Sequence, residues 1–433
     1  FMKKSITAGI LSAIVWGAGQ FYNRQYLKGI MFLIIQFIVF LNYQYFYNGL
    51  WGLITLGETP TRIEGGIAIH GDNSIILMVK GIICLLVLVI VLVLYVLNIR
   101  DAIKTGELRN KGEKLPSTIE SFKQLWDKSF AYIMLIPAAL FVLFLVVLPL
   151  IFGFCVAFTN YSAPDHLPPA KLVDWVGFEN FKNIFRLPMW NQTFLGVLTW
   201  TVIWAVVSTT TCFFGGLLVA VLINSKRVKF KKFWRTIYIL PWAMPGMISL
   251  LIFRNLFNGQ FGPINRLLRE YGLIQQNIPW LSDPTLAKVT IILVNLWLGF
   301  PYFMALMTSV MTSIDKELYE AARIDGANAS DEFWKITLPL VLYSTAPLLI
   351  MSFAHNFNNF NVIYFLTEGN PINPAYKFAG HTDILITWIY KMTLNNKQFN
   401  MASVMSILIF LLIGSISAWN FLRTKSFKEE DMI

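Results

Sequence analysis

Charged side chains are scarce in this sequence. Asp, Glu, Lys and Arg make up 14% of its 433 residues, whereas apolar residues make up 56% and form long continuous blocks. Blocks of this length and composition are typical of membrane-spanning helices, and they exclude a water-soluble globular fold. We therefore predict an all-α integral membrane protein that crosses its membrane several times.

Cysteines, histidines and phosphate-binding motifs are also scarce. The three cysteines, Cys84, Cys155 and Cys212, lie within apolar blocks, so neither a disulfide framework nor a zinc spacing is present. The four histidines are dispersed without ligand periodicity, and no glycine-rich phosphate loop occurs. We predict no catalytic residue, no metal site and no cofactor in this chain, and we expect ATP and Mg²⁺ to be bound by other subunits.

Eight apolar blocks are long enough to form transmembrane helices. At 1.5 Å per residue, about 20 residues cross a hydrocarbon core of ~30 Å. The first two blocks are separated from the other six by a charged segment. The eight predicted spans cover residues 27–45, 75–98, 133–158, 194–223, 236–257, 289–310, 338–360 and 402–421.

Lys and Arg residues indicate the orientation of the chain. The loop at residues 224–235 holds six of them and no acidic residue, which places it in the cytoplasm. Both termini and the loop at residues 312–337 then also lie inside. The net charge of +11 is concentrated in such loops, where it faces anionic lipid, so we reject a nucleic-acid-binding function. Residues 5–22 are apolar but short, and we expect a re-entrant or interfacial helix there rather than a ninth span.

The polar stretch at residues 320–340 interrupts two long apolar blocks. We predict a helix over residues 317–324 and a turn at Gly326, because glycine readily adopts a positive φ and ends helices. A second short helix should then lead into the next span, with Pro339 in its first turn. A membrane protein does not need such a stretch in order to fold, which favours a function for it.

This stretch has the features of a docking element. Ala321 and Ala322 are small enough to let another protein approach the backbone, and Glu320 and Asp325 place carboxylates beside them. The stretch resembles the EAA motif of ABC importer permeases, and the resemblance implies a cytoplasmic coupling helix seated in a cleft of an ATP-hydrolysing subunit. The residues that match the motif are Glu320, Ala321, Ala322, Gly326, Ile336, Leu338 and Pro339, and the implied ATPase-coupling residues are Glu320, Ala321, Ala322, Asp325 and Gly326.

The last six predicted spans resemble the type I importer permease domain over their whole length. The chain would then consist of an N-terminal unit at residues 1–98, a cytoplasmic linker at 99–130, a six-helix permease domain at 131–424 and a cytoplasmic tail at 425–433. Two prolines in the fifth span are compatible with a packing kink and equally with a gating role. The runs that carry the resemblance are VGFENFKNIF at residues 176–185, LPWAMPG at 240–246, FGPIN at 261–265 and PWLSDP at 279–284.

Two polar runs inside predicted spans indicate a substrate site. NLWLGFPY at residues 295–302 is rich in aromatic rings, and SFAHNFNNFN at residues 352–361 places four Asn, one Ser and one His among three Phe. Amides facing lipid would lack partners, so these side chains must face the protein interior or a water-filled path. Neutral amides and aromatic rings suit the hydroxyls and apolar faces of a sugar. The alternative is hydrogen bonding between helices, worth about 0.6 kcal/mol per bond.

Both runs are similar to those of MalF-type maltose and maltodextrin permease subunits, and the resemblance implies a sugar site at mid-membrane. Helical spacing places Ser352, His355, Asn356 and Asn359 on one stripe and the three phenylalanines on another. At His355 the chain departs from the MalF pattern, which has Phe, so the sugar and its chain length are left open. The implied substrate-binding residues are Leu298, Gly299, Tyr302, Ser352, His355, Asn356 and Asn359.

The resemblance implies a bacterial cell-membrane permease that imports oligosaccharides, most simply maltose and maltodextrins. Its partners would be a second homologous permease subunit, two ATP-binding subunits and an extracellular sugar-binding protein. The outer loops are short, so we expect that binding protein to be lipid-anchored. A galacto-oligosaccharide or raffinose-type sugar is an open alternative. An ion-coupled carrier and a membrane-embedded enzyme are disfavoured, because His355 is the one ionisable residue in the seventh span and no acid–base cluster is evident.

Overall fold

The computed structural model describes residues 4–64, 67–113, 118–167, 171–225 and 228–423. The chain divides into two compact units, Phe1–Gly177 and Phe178–Ile433. The predicted cytoplasmic tail at residues 425–433 lies outside the described residues, as do Lys226 and Arg227 of the basic loop.

The first unit consists of helices and one short β-hairpin. Its longest helix, α5, is capped at its N-terminus by Asn73, whose side chain accepts hydrogen bonds from the N–H groups of Ile75 and Ile76. It continues past the predicted end of its span at residue 98, so much of the predicted linker is helical. The elements are α1 Lys4–Ile14, α2 Ala18–Tyr22, α3 Tyr26–Leu41, α4 Tyr43–Thr55, β1 Arg62–Glu64, β2 Ile67–Ile69, α5 Ser74–Asn110, α6 Thr118–Val142, a π-helical turn Leu143–Val147 and α7 Leu148–Val156.

Helices α1 and α2 pack against α5 through a buried polar network. The Asn98 side chain donates to the Ser12 carbonyl at 3.0 Å and accepts from the Gly17 N–H at 3.1 Å. Gln20 Nε2 donates to the Asn98 carbonyl at 2.9 Å. These side chains hydrogen-bond backbone groups around the connection between α1 and α2, where regular helical hydrogen bonds are interrupted. The re-entrant or interfacial placement of this segment stays a prediction.

The second unit consists, in its described part, of helices joined by irregular loops. The elements are α8 Glu179–Arg186, α9 Pro188–Asn224, α10 Lys231–Ala243, α11 Gly246–Leu256, α12 Pro263–Glu270, α13 Pro284–Ser313, α14 Lys316–Ile324, α15 Ala329–Glu332, a π-helical turn Phe333–Thr337, α16 Leu338–Phe357, α17 Phe360–Thr367, α18 Leu385–Tyr390, a π-helical turn Lys391–Asn395 and α19 Phe399–Arg423.

The predicted class, an all-helical membrane protein, is confirmed apart from the small hairpin. Five helices in the described residues are long and apolar enough to cross a membrane, and the number rises to seven if two bent pairs each count as one span. The pairs are α3 with α4, bent by 54°, and α10 with α11, bent by 88°. The predicted eighth span corresponds to α19, whose described apolar part is Phe399–Ser415. The count of eight stays a prediction.

Helices α9 and α13 form the centre of the second unit. Phe213 and Leu217 of α9 are buried against Phe303 and Met304 of α13. Gly216 permits this approach, because a Cβ there would lie 2.4 Å from the Phe303 Cβ and 2.7 Å from the Met304 backbone nitrogen. Helices in membranes associate through such small residues, since lipid supplies no hydrophobic drive between them.

We expect Gly216→Ala to destabilise the protein by about 1–3 kcal/mol, the usual cost of overpacking. The added methyl group would meet backbone, which moves less easily than a side-chain tip. Thermal unfolding of the purified chain in detergent measures this as a lower midpoint. Gly414→Ala is the matched control, because a Cβ at Gly414 meets no described atom within 4 Å. Equal midpoints for both variants would contradict the close packing of α9 on α13.

Candidate functional site

A cavity of about 550 Å³ lies in the second unit among α9, α10, α11, α13, α16 and α17. All the substrate-binding residues implied by the sequence contribute to its wall, although they come from two separate runs of the chain. Their role in binding stays a prediction. The lining residues are Cys212, Trp242, Gly246, Met247, Leu250, Asn295, Leu298, Gly299, Tyr302, Phe303, Leu348, Met351, Ser352, His355, Asn356, Asn359, Asn361 and Val362.

The predicted helical stripe of Ser352, His355, Asn356 and Asn359 is wrong for its last member, because Asn359 lies outside the helix that holds the other three. Helix α16 ends at Phe357, and α17 begins at Phe360, so the chain is not helical at Asn358 and Asn359. The Asn359 side chain accepts a hydrogen bond from the Val362 N–H at 3.4 Å and so caps α17. Asparagine side chains compete with helical backbone bonds in this way, which explains the interruption within an otherwise apolar span. Asn359 nevertheless lines the cavity.

A second break separates α10 from α11. Met244 is extended, with φ −88° and ψ 140°, as expected for a residue before proline, and Pro245 has no N–H to donate. Trp242 on one side of the break and Gly246 on the other both line the cavity. The sequence left a kink and a gating role equally open for these prolines, and the structure places the 88° bend at Pro245, with Pro241 inside α10.

Asn356 holds α16 against α9 and also lines the cavity. It is 7% exposed. Its Nδ2 donates to Thr209 Oγ1 at 2.9 Å, and its backbone carbonyl accepts from Trp204 Nε1 at 2.9 Å. Asn359 Nδ2 lies 3.5 Å from Asn356 Oδ1, a long hydrogen bond. Asn356 therefore makes hydrogen bonds between helices, as the alternative to sugar binding predicted. Its side-chain Oδ1 can still accept a further hydrogen bond.

The aromatic surface of the cavity differs from the predicted one. Phe353, Phe357 and Phe360 are absent from its described lining, and Phe360 packs on Tyr364 with ring centroids 4.8 Å apart. The exposed rings are instead Trp242, 61% exposed, and Tyr302, 38% exposed, with centroids 6.1 Å apart. Sequence reasoning missed Trp242 as a candidate, although the prolines on both sides of it in LPWAMPG indicate a break.

The cavity wall combines polar and apolar side chains and is almost uncharged. Among the described lining residues none is Asp, Glu, Lys or Arg. Arg254, at the end of α11, is paired with Glu368 at 2.7 Å, away from that lining. The wall can therefore offer neutral hydrogen-bonding groups and aromatic faces, but it holds no charge to pair with an ionic ligand.

The predicted helix–turn–helix of the EAA stretch is present. Helix α14 is capped at its N-terminus by Asp315, whose side chain accepts a hydrogen bond from the Glu317 N–H at 3.1 Å. The turn after the helix contains Gly326, which has φ +85°. Asn328 starts α15 with a reciprocal capping box. Of the residues predicted to couple to an ATPase, Ala322 is half-buried and four are exposed, namely Glu320, Ala321, Asp325 and Gly326.

Three side-chain contacts fasten α14 to the segment that follows it. Arg323 donates to both carboxylate oxygens of Glu332, at 2.6 and 3.2 Å. Tyr319 and Thr337 hydroxyls lie 2.9 Å apart. Ile324, by contrast, is 86% exposed, and an exposed apolar side chain of this size is suited to a partner surface. The stretch is thus a braced two-helix element with an exposed outer face.

The loop between α17 and α19 is anchored by a buried carboxylate that the sequence did not reveal. Asp383 is 1% exposed and accepts hydrogen bonds from the Gly380 N–H at 2.7 Å and the Thr387 hydroxyl at 2.9 Å. Lys391 Nζ lies 2.6 Å from it. Burial raises the pKa of the Asp383 carboxyl, and Lys391 opposes that rise. Trp200 of α9 donates to the Thr382 carbonyl at 3.1 Å, which fixes the loop to the helices.

Comparison with known proteins decides the family. Residues 212–423 match the family model of the binding-protein-dependent transport system inner membrane component. The galactooligosaccharides transport system permease protein GanP of Bacillus subtilis is 42% identical over 97% of this chain and 98% of its own length. The chain belongs to this family. Members are permease subunits of ABC importers rather than enzymes, and they are multi-pass proteins of the cell membrane.

Other permeases of the family are also similar to this one. The maltodextrin transport system permease protein MdxF of Bacillus subtilis is 37% identical over 100% of this chain and 98% of its own length. MalF of Vibrio cholerae, a maltose/maltodextrin permease, is 40% identical over 60% of this chain but only 50% of its own length. The predicted similarity to MalF-like permeases is confirmed.

Solved structures show the same fold. A bacterial ABC transporter involved in the import of the acidic polysaccharide alginate matches with a TM-score of 0.56. It is 22% identical, and the match covers 70% of this chain and 98% of that one.

We expect Lys391→Met to lower the free energy of unfolding by about 3–5 kcal/mol, because it leaves a buried carboxylate without its counter-charge. Thermal unfolding in detergent measures the loss. The folded-state pKa of Asp383 in this variant lies above that of the unfolded chain, so stability is lost as the pH rises through the folded-state pKa. The deficit relative to wild type should therefore shrink as the pH is lowered.

Two controls separate this pair from an ordinary surface pair. Lys171→Met removes the partner of Asp165, where both side chains are more than half exposed, and should change stability by less than about 1 kcal/mol. Asp383→Asn combined with Lys391→Met should recover part of the loss. A deficit for Lys391→Met that is independent of pH, or equal to that of Lys171→Met, would contradict a buried anchor.

Proposed function

We propose that this chain is the permease subunit of an ABC importer for neutral oligosaccharides, and that the cavity of the second unit is its substrate site. The observation that carries the proposal is the composition of the cavity wall. Amide, hydroxyl and aromatic side chains surround about 550 Å³, within the ~300–1,000 Å³ usual for ligand sites, and no Asp, Glu, Lys or Arg is among the described lining residues.

Neutral sugars match this wall for energetic reasons. Each hydroxyl taken from water must find a hydrogen-bonding partner or cost about 1–3 kcal/mol, and Ser352, Asn356 and Asn359 supply such partners. The apolar faces of sugar rings suit exposed aromatic rings, which Trp242 and Tyr302 provide. Acidic sugars would instead need cations, which the described wall lacks.

Two sugar classes are candidates. The polar runs of α13 and α16 resemble those of MalF-type permeases, and MdxF is similar over the whole chain, which supports maltose and maltodextrins. GanP, a galactooligosaccharide permease, has the higher identity, and His355 departs from the MalF pattern, which supports galacto-oligosaccharides as the second candidate.

We infer that the loop bearing the EAA stretch couples ATP hydrolysis to the cavity, and its position in the chain supports this. It joins the end of α13 directly to the start of the span that contains α16. These two helices contribute six of the predicted substrate-binding residues, and Asn359 follows α16 immediately. Movement of the braced loop would therefore be transmitted along two rigid helices, exposing the cavity first to one side of the membrane and then to the other.

The partners follow from this mechanism. Two ATP-binding subunits would hold ATP and Mg²⁺ and receive α14, and a second, homologous permease would supply the other half of the pathway. An extracellular sugar-binding protein, anchored by lipid, would deliver the substrate. Both termini of this chain would lie in the cytoplasm.

We expect Glu320→Lys to abolish uptake without preventing membrane insertion, because Glu320 is exposed on α14 and its side-chain interaction within the described residues is electrostatic, with Arg323. The measurement is uptake of labelled oligosaccharide by cells that lack this chain and carry either form, with the protein quantified in membranes. Glu270→Lys is the control: it also reverses the charge of an exposed residue, on α12, and should leave uptake normal. Normal uptake by Glu320→Lys would refute the docking role.

We expect Trp242→Ala and Asn359→Ala each to raise the concentration for half-maximal uptake about tenfold, equivalent to ~1.4 kcal/mol of lost binding. Trp297→Ala is the matched control, because Trp297 is 48% exposed but is not part of the cavity lining. Parallel assays with maltotriose and a galactosyl trisaccharide identify the sugar class. Equal effects of Trp242→Ala and Trp297→Ala would remove the cavity from the transport path.

A further inference from the structure

A second concave surface in this unit lies where α9 ends and α10 begins. It encloses about 490 Å³. Because α9 is one apolar helix of 37 residues and α10 opens the next span, this surface lies at the boundary between the bilayer and water. We call it the α9–α10 groove. Its lining residues are Val219, Leu222, Ile223, Val228, Lys229, Phe230, Trp234 and Tyr238.

The groove is apolar over most of its wall. Leu222 is 57% exposed and Trp234 40% exposed, so the wall is not filled by the protein's own side chains. The Trp234 and Tyr238 rings lie side by side, with centroids 6.3 Å apart. Tryptophan and tyrosine are enriched at the headgroup level of membranes, where one end of the ring is apolar and the other is wet. A hydrocarbon chain is the occupant that such a wall solvates best.

Two exposed lysines form no ion pair with any residue that the structure describes. Lys229 lines the groove, and Lys232 is in the first turn of α10. The sequence contains no Asp or Glu between Glu179 and Glu270. None of the ion pairs formed by the described residues includes either lysine.

The neighbouring cations are used differently. Lys231 Nζ donates to the Asn224 carbonyl at 2.8 Å, and Arg235 Nη2 donates to Asn224 Oδ1 at 2.6 Å. Cations in these positions stabilise the last turn of a helix. Lys231 and Arg235 thus close α9, whereas Lys229 and Lys232 are free to meet an external anion.

We propose that the α9–α10 groove binds one anionic phospholipid. Its acyl chain lies along the apolar wall beside Leu222 and Trp234, and its phosphate headgroup lies at Lys229, with Lys232 adding positive charge from the first turn of α10. Charge complementarity selects the anionic lipid over a zwitterionic one, and the apolar wall selects a lipid over a free phosphate ester. This inference does not depend on which substrate the cavity carries.

Native mass spectrometry of the purified full chain tests the proposal with three probes: phosphatidylglycerol, phosphatidylcholine and soluble glycerol phosphate. We expect phosphatidylglycerol to bind and the other two not to bind. Lys229→Gln with Lys232→Gln should weaken its binding about thirtyfold. Leu222→Trp, which fills the groove without changing charge, should weaken it by at least about tenfold. Lys182→Gln with Lys397→Gln removes two exposed cations elsewhere in the same unit and should leave binding unchanged.

Each other outcome overturns the proposal. Equal retention of phosphatidylglycerol by wild type and both groove variants would mean unspecific annular lipid. Binding of glycerol phosphate with the same dependence on the two lysines would mean an anion site without a lipid. The assembled transporter gives a third outcome. If it retains the same amount of phosphatidylglycerol in the wild type and in the Lys229→Gln, Lys232→Gln double variant, another subunit covers the groove and the proposal is wrong.

Discussion

Every backbone N–H and C=O inside a bilayer must find a partner within the protein, and this requirement controls where the helices of the second unit break. The α10–α11 break and the α16–α17 break both border the same cavity. Asn359 satisfies part of the backbone at one break with its side chain. At the other, Pro245 removes a donor that would otherwise need a partner. Irregular backbone is tolerated within membrane-spanning segments where it borders a cavity, and both breaks border this one.

The cavity and the EAA stretch share the same two helices. α13 and α16 carry most of the polar wall, and the loop between them carries α14. The bidentate pair of Arg323 and Glu332 and the Tyr319–Thr337 contact make that loop a braced element instead of a flexible tether. In the proposed mechanism, a force on α14 would therefore act on both α13 and α16, which line the cavity. Helix α13 also packs tightly on α9 through Gly216.

Features set by local sequence were predictable, and features set by tertiary packing were not. The helix before Gly326 and the turn itself follow from glycine's conformational freedom, and the structure has both. The stripe through Asn359 was wrong because local periodicity cannot show that an asparagine side chain will cap a new helix. Trp242 was missed because its exposure depends on the 88° bend at Pro245. The burial of Asp383 could not be predicted, since it depends on how the loop between α17 and α19 folds and brings Lys391 to the carboxylate.

The most direct test of this account is a cryo-electron microscopy structure of the assembled transporter with saturating maltotriose or a galactosyl trisaccharide. The account predicts sugar density in the cavity, in contact with Trp242 and Tyr302 and within hydrogen-bonding distance of Asn359. Density for a sugar elsewhere in the membrane, with this cavity closed in every conformation of the transport cycle, would contradict it.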